Sequence, residues 1–345
     1  MRLRKKRCCG TERGEGLKKK AGYIGGLLGL ALFVGLFIRA DFATLLHSWH
    51  RGGWSLLWLV PYRAGYFLLY AIGWRALLLP YDPQSRASFG YVYWVTTVRD
   101  AIDRLLPVAS VGGAVAAVRL MRWRGLASTP VVVTVIVEIL LTLIMVYVFT
   151  AVGLLLLLHL RATGHDYHRV LIAFLLSLPV PVLTAVLLRY GSVFKRLHAL
   201  VRPFVGERLL AEGAQSLDAE LRASLCRIWA LAIAGGLQLV AFFSASFEVW
   251  FALRLFGHPI SMEAAIALES LTQAARYVAF IVPAGIGVQE AGFVLFGHML
   301  GVGVDLALAV SMVKRLREVL CGVPSLVSWQ WIEGRRLRAA AGSTG

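Results

Sequence analysis

Apolar residues run along this chain in long blocks rather than short periodic stripes. Six blocks reach the roughly 20 residues that a helix needs to cross a hydrocarbon core: 21–38, 54–79, 130–158, 170–188, 225–249 and 304–331. Two more, 89–121 and 262–300, are apolar but broken in the middle. Pro107, Gly112 and Gly113 interrupt the first, and Pro283, Gly285 and Gly287 the second. Proline removes a backbone donor and glycine permits a sharp reversal. Non-helical backbone at membrane depth is tolerated only inside protein or beside water. The pattern therefore predicts an all-α polytopic membrane protein with six full transmembrane helices. Two re-entrant helical hairpins, with tips at 107–113 and 283–290, complete it.

Charge sets the direction of threading. Nine basic residues lie in the first twenty, before the first apolar block, and form a cytoplasmic tail over 1–20 under the positive-inside rule. That block has no small-residue cleavage site and is expected to stay as a span. The stretch 193–222 mixes charges with periodic leucines and reads as an amphipathic connection on the cytoplasmic surface. With both broken blocks dipping in and returning, every arginine-rich connection falls inside. Both termini, including the tail 333–345, are then cytoplasmic, as expected of a bacterial inner-membrane protein.

Composition agrees: 58% of residues are hydrophobic and the mean hydropathy is +0.71. The net charge of +17 lies beside spans rather than on a soluble module, which argues against nucleic-acid binding. Four cysteines show neither zinc nor disulfide spacing, and His165 and His168 read as part of a polar surface loop. No metal or other cofactor is expected. Nor does the chain show a nucleophile–base set or nucleotide loop that would make it an enzyme.

The two broken blocks resemble each other. With Pro107 set on Pro283, Gly125 falls on Gly301 and Glu138 on Lys314, and each proline has an arginine upstream, Arg99 or Arg276. Two spans precede each hairpin and one follows, while the hairpins enter from opposite sides. This is a 3+3 inverted-topology repeat over 21–158 and 168–332, a layout used by transporters.

Charges at membrane depth cost about 2.5–3.5 kcal/mol each and demand partners. Arg99 with Asp103, and Asp100 with Arg104, have the i,i+4 spacing of helical ion pairs. Lys314, Arg315, Arg317 and Glu318 sit well inside the last block, with Glu138 at the equivalent depth of its own. Glu138 is expected to meet a cation of the last span, a substrate or a proton. Gln289 and Glu290 follow the second tip, where they either cap a helix or line a polar passage. Together with Glu269, Gln273 and Arg276 these are the candidate substrate-binding residues. Arg63 is expected to contact water or headgroups without a role.

The segments "RDAIDRLLPVASVGG", "ALESLTQAARYVAFIVPAGIGVQEAGFVLFG" and "SMVKRLREVLCGVPSLVSWQ" resemble the lysylphosphatidylglycerol-synthase transmembrane, or flippase-like, superfamily. Within it they look most like the hopanoid-biosynthesis-associated membrane proteins. The pattern carries over onto Arg276, the turn at 283–290 and the run 315–318. A glutamate that relatives carry after the paired glycines is Ala114 here. The resemblance implies a protein that translocates a membrane lipid, hopanoid-related or with an anionic headgroup. The alternatives are a non-transporting accessory protein beside lipid-biosynthesis enzymes and, ranked last, a lipid-modifying enzyme.

Overall fold

The computed structural model describes residues 53–106, 112–160, 172, 214–279, 282 and 285–342. Every regular element among them is helical. After a 3-10 turn at Gly53–Trp58 come α1 (Leu59–Leu78), α2 (Phe89–Leu105), α3 (Gly112–Arg122) and α4 (Ser128–Leu160). Then follow α5 (Ala214–Cys226), α6 (Ile228–Leu255), α7 (Met262–Val278), α8 (Val288–Met299) and α9 (Val304–Gly342). The expected span at 21–38, nearly all of 170–188, the loop at 165–168, Pro107 and Pro283 lie outside the described residues. Of the connection at 193–222, the described part belongs to α5.

Among the described residues, three stretches are long and apolar enough to cross a membrane: Gly53–Tyr81, Ser128–Leu160 and Ile228–Leu255. Only 33% of the apolar window in the last of these is buried inside the protein. Such a broad outward apolar face, with Trp229 and Val240 exposed on it, suits lipid and not water. This is an all-α membrane protein. The helix α9 has the length, 39 residues, but four charges at 314–318 interrupt its apolar run.

The broken blocks form pairs of short helices. α2 and α7 have 17 residues each, α3 has 11 and α8 has 12. At 1.5 Å per residue these arms are about 17–26 Å long, short of a ~30 Å hydrocarbon core. Local chemistry sets their ends. Ser261 Oγ accepts from Ala264 N at 3.2 Å, capping α7. Gly125 (φ 78°) and Gly301 (φ 80°) end α3 and α8 in the left-handed conformation. After each, the next N–H bonds five residues back, Leu126 to Met121 and Val302 to Gly297, closing the helix and turning the chain.

The two largest apolar clusters among the described residues each join at least four helices. Trp74, Val95, Leu120 and Val131 join α1, α2, α3 and α4. Val249, Leu268, Phe293 and Leu308 join α6, α7, α8 and α9. The two groups cross over each other: α4 packs on α7, α9 on α2, and α1 on α6. Small residues make the crossings close. A Cβ at Gly153 would lie 1.7 Å from Ser270 Oγ, and one at Gly322 would lie 2.6 Å from Leu105 Cδ1. Where lipid weakens the hydrophobic drive between helices, such backbone approach supplies the packing energy.

Candidate functional site

Charged side chains gather where the two groups of helices meet. α9 sends each of its charges to a different element. Lys314 Nζ donates to both oxygens of Glu269 on α7, each at 2.6 Å. Arg317 pairs with Glu248 on α6, and its Nη1 also donates to Tyr66 Oη at 3.3 Å. Arg315 donates to Glu290 Oε1 at 3.2 Å and to the Gly285 carbonyl at 3.0 Å. Glu318 is the hub. Its Oε1 accepts from Arg104 Nη1 at 2.6 Å and lies 3.7 Å from Arg276 Nη1, while Arg315 donates to its Oε2 at 3.4 Å. From there the network runs through Arg104 to Asp100 (2.6 Å) and on to Arg63.

The expected Asp100–Arg104 pair forms, but the expected Arg99–Asp103 pair does not. Arg99 instead donates to Glu138 on α4 at 2.5 Å. Asp103 Oδ1 accepts from Gly113 N at 3.0 Å, tying α2 to the first turn of α3. The lack of a side chain at Gly113 permits this, since a Cβ there would lie 2.5 Å from Asp103 Oδ2. Glu138 thus meets a cation of α2 rather than one of the last helix.

The second tip is also more structural than its sequence suggests. Gly285 and Gly287 both have positive φ, and Gly287 is the N-cap of α8. Its N–H donates to Glu290 Oε2 at 2.8 Å, so Glu290 caps the helix it begins. Ser311 donates to the other oxygen of Glu290 at 3.0 Å. Gln289 accepts from Arg276 Nη1 at 2.7 Å and donates to Ser311 at 2.9 Å. Gln289 and Glu290 are both fully buried and lie behind the wall of the cavity described next.

A cavity of about 430 Å³ opens between the helices. Its wall draws on α1, α2, α4, α6, α7 and α9, so both halves of the bundle enclose it. Arg99, Asp100, Arg104, Glu138, Glu269, Gln273, Arg276, Lys314 and Arg317 reach the wall, while Arg315 and Glu318 stand behind it. Gly112, at the start of α3, does not line it. Arg63, Tyr66 and Glu248 are additions to the expected set. Arg63, only 4% exposed, lies on the wall over the Phe67 ring. The signal for it and for Glu248 was a lone charge within an apolar span, which seldom stands without a partner.

Residues 24–324 match the family model for the lysylphosphatidylglycerol synthase transmembrane region. The chain belongs to this family. No curated protein and no solved structure matches it. The lysylphosphatidylglycerol synthase transmembrane region takes in both helix pairs and every charged residue of the network. Six cations and four carboxylates lie on the cavity wall. Adding Arg315, Glu248, Glu290 and Glu318 behind it brings the network to seven of each. The basic excess of the chain, +17, therefore lies outside the site. What remains is a neutral but strongly dipolar chamber, able to replace the hydration of a polar group that leaves water.

Proposed function

We propose that this protein moves an amphipathic lipid between leaflets, its headgroup passing through the cavity while its chains stay in the bilayer. The observation that carries this reading is a polar chamber of about 430 Å³ inside a bundle whose outer faces are apolar. An unpaired polar group costs roughly 2–7 kcal/mol in an apolar medium, which holds headgroups at the surface. A chamber offering paired donors and acceptors offsets that cost. Depth supports the reading. Glu138 and Lys314 are each the eleventh residue of their helices, about 15 Å from the start and half the ~30 Å core.

The inverted repeat expected from the sequence fits it too. α3 and α8, and likewise α4 and α9, begin 176 residues apart, the offset that sets Pro107 on Pro283. The pairs α2–α3 and α7–α8 are the re-entrant hairpins in this reading. Each half places its first hairpin arm against the last helix of the other. Rocking one half against the other would expose the chamber to each side in turn.

The test is reconstitution of purified protein into vesicles with acyl-labelled lipids, followed by membrane-impermeant quenching. Faster exchange between leaflets than in protein-free vesicles supports translocation. Lipid binding without exchange makes the protein an accessory factor, and a lipid product of changed mass makes it an enzyme. A polyol-headed hopanoid among the test lipids addresses the narrower family resemblance.

A further inference from the structure

Two charges on the cavity wall stand apart from the rest. Five of its six cations have a carboxylate oxygen within 2.6 Å. Arg276 does not: its nearest is Glu318 at 3.7 Å, and its direct bond is to the neutral Gln289. Among the wall carboxylates, Asp103 has no cation within 4 Å among the described residues, and only one of its oxygens is occupied, by the Gly113 N–H. Counted from the starts of their helices, these two hold matching places. Each is the fifteenth residue of its 17-residue arm, Asp103 on α2 and Arg276 on α7. Each bonds the second residue of the following short helix, Gly113 on α3 and Gln289 on α8. The two helix pairs thus present opposite, incompletely neutralised charges to one chamber.

The geometry points to a zwitterionic headgroup as the cargo: an anionic phosphate-type group facing Arg276 and an ammonium group facing Asp103. This rests on the translocation reading and narrows its substrate class. A purely anionic headgroup would satisfy Arg276, add net charge to a balanced network and leave Asp103 unmet. A neutral polyol would leave both charges unmet. In a low-dielectric chamber an unmet charge is costly, whereas a charge-assisted hydrogen bond is about twice as strong as a neutral one.

The experiment compares acyl-labelled phosphatidylethanolamine and phosphatidylglycerol in the same vesicle assay. For the full chain we expect the amine lipid to be preferred by roughly tenfold, the worth of one hydrogen bond to a charged group. Asp103→Asn keeps an oxygen for the Gly113 N–H and should bring that preference close to one. Arg276→Gln should slow both lipids. Protection of the full chain against thermal unfolding by soluble phosphoethanolamine, compared with glycerol phosphate, reads the same preference without transport or a variant. Equal handling of the two lipids and equal protection by the two headgroups overturn the zwitterion assignment and leave translocation standing. Preferential protection by phosphoethanolamine in a protein that moves no lipid keeps the binding assignment and removes the transport reading.

Discussion

The Lys314–Glu269 pair is the cleanest place to measure what holds the site together. Its side chains are 7% and 3% exposed, and the ammonium faces both carboxylate oxygens at 2.6 Å. At an effective dielectric near 20, unit charges at that distance attract by about 6 kcal/mol. Most of that gain offsets the cost of taking two ions out of water, so the pair is worth little net while either ion alone is expensive. Lys314→Met should therefore destabilise by about 3–5 kcal/mol, as should Glu269→Gln, each leaving its partner unmatched. The double variant Lys314→Met/Glu269→Gln should cost less than either single change. Equilibrium unfolding of the four proteins in mixed detergent micelles, followed by helical circular dichroism, gives the coupling directly. Single losses below about 1 kcal/mol, or a double variant equal to the sum of the two, would refute this account of the pair.

Other outcomes separate site from scaffold. Glu290→Gln weakens the cap on Gly287 and the bond from Arg315, so it should lower stability by at least the ~1 kcal/mol of a helix cap, measured by the same unfolding. Arg276→Gln should unfold near the parent's midpoint yet slow lipid exchange; normal exchange would remove Arg276 from the path. Gly153→Leu should disrupt the crossing of α4 and α7, because even a Cβ there would overlap Ser270 Oγ, and retention of parent stability would show that the helices can part without cost. Cysteines replacing Ser88 and Arg124 should react with impermeant reagent from the same side of the membrane; opposite sides would make the helix pair a full crossing. Reporters on either terminus should read as cytoplasmic, and an outside reading at either one would reverse or break the topology.

The architecture was readable where one property dominates a long stretch. Apolar blocks and their breaks placed α1, α4 and α6, and the proline–glycine runs marked both helix pairs, because proline and glycine interrupt a helix in the middle of an apolar block. The pairing of charges was far less readable. Spacing along α2 put Arg99 beside Asp103, but the nearest partner in sequence lost to Glu138, brought by the fold from 39 residues away. Glu290 reads either as a cap or as a lining group, because sequence shows its depth and not its direction; its bond from the Gly287 N–H decides for the cap. Arg63 and Glu248 each stood alone in an apolar run, and their partners lie on other helices, Asp100 and Arg317. Long-range pairing of this kind leaves no local period to detect.

The placement of the counter-ions has a consequence for how the chain enters the membrane during synthesis. Inserted by itself, a helix with Lys314, Arg315, Arg317 and Glu318 in its apolar part would meet a cost of roughly 10–14 kcal/mol at insertion-scale values for four charges. The oppositely charged partners described above for those residues outside α9 all precede it in the chain: Arg104 and Arg276 for Glu318, and Glu248, Glu269 and Glu290 for the cations. By the time α9 leaves the ribosome, its electrostatic socket has already been made. The helix α9 is thus a dependent segment, delivered into a waiting bundle rather than into lipid, and the charge network is complete only once α9 has joined it.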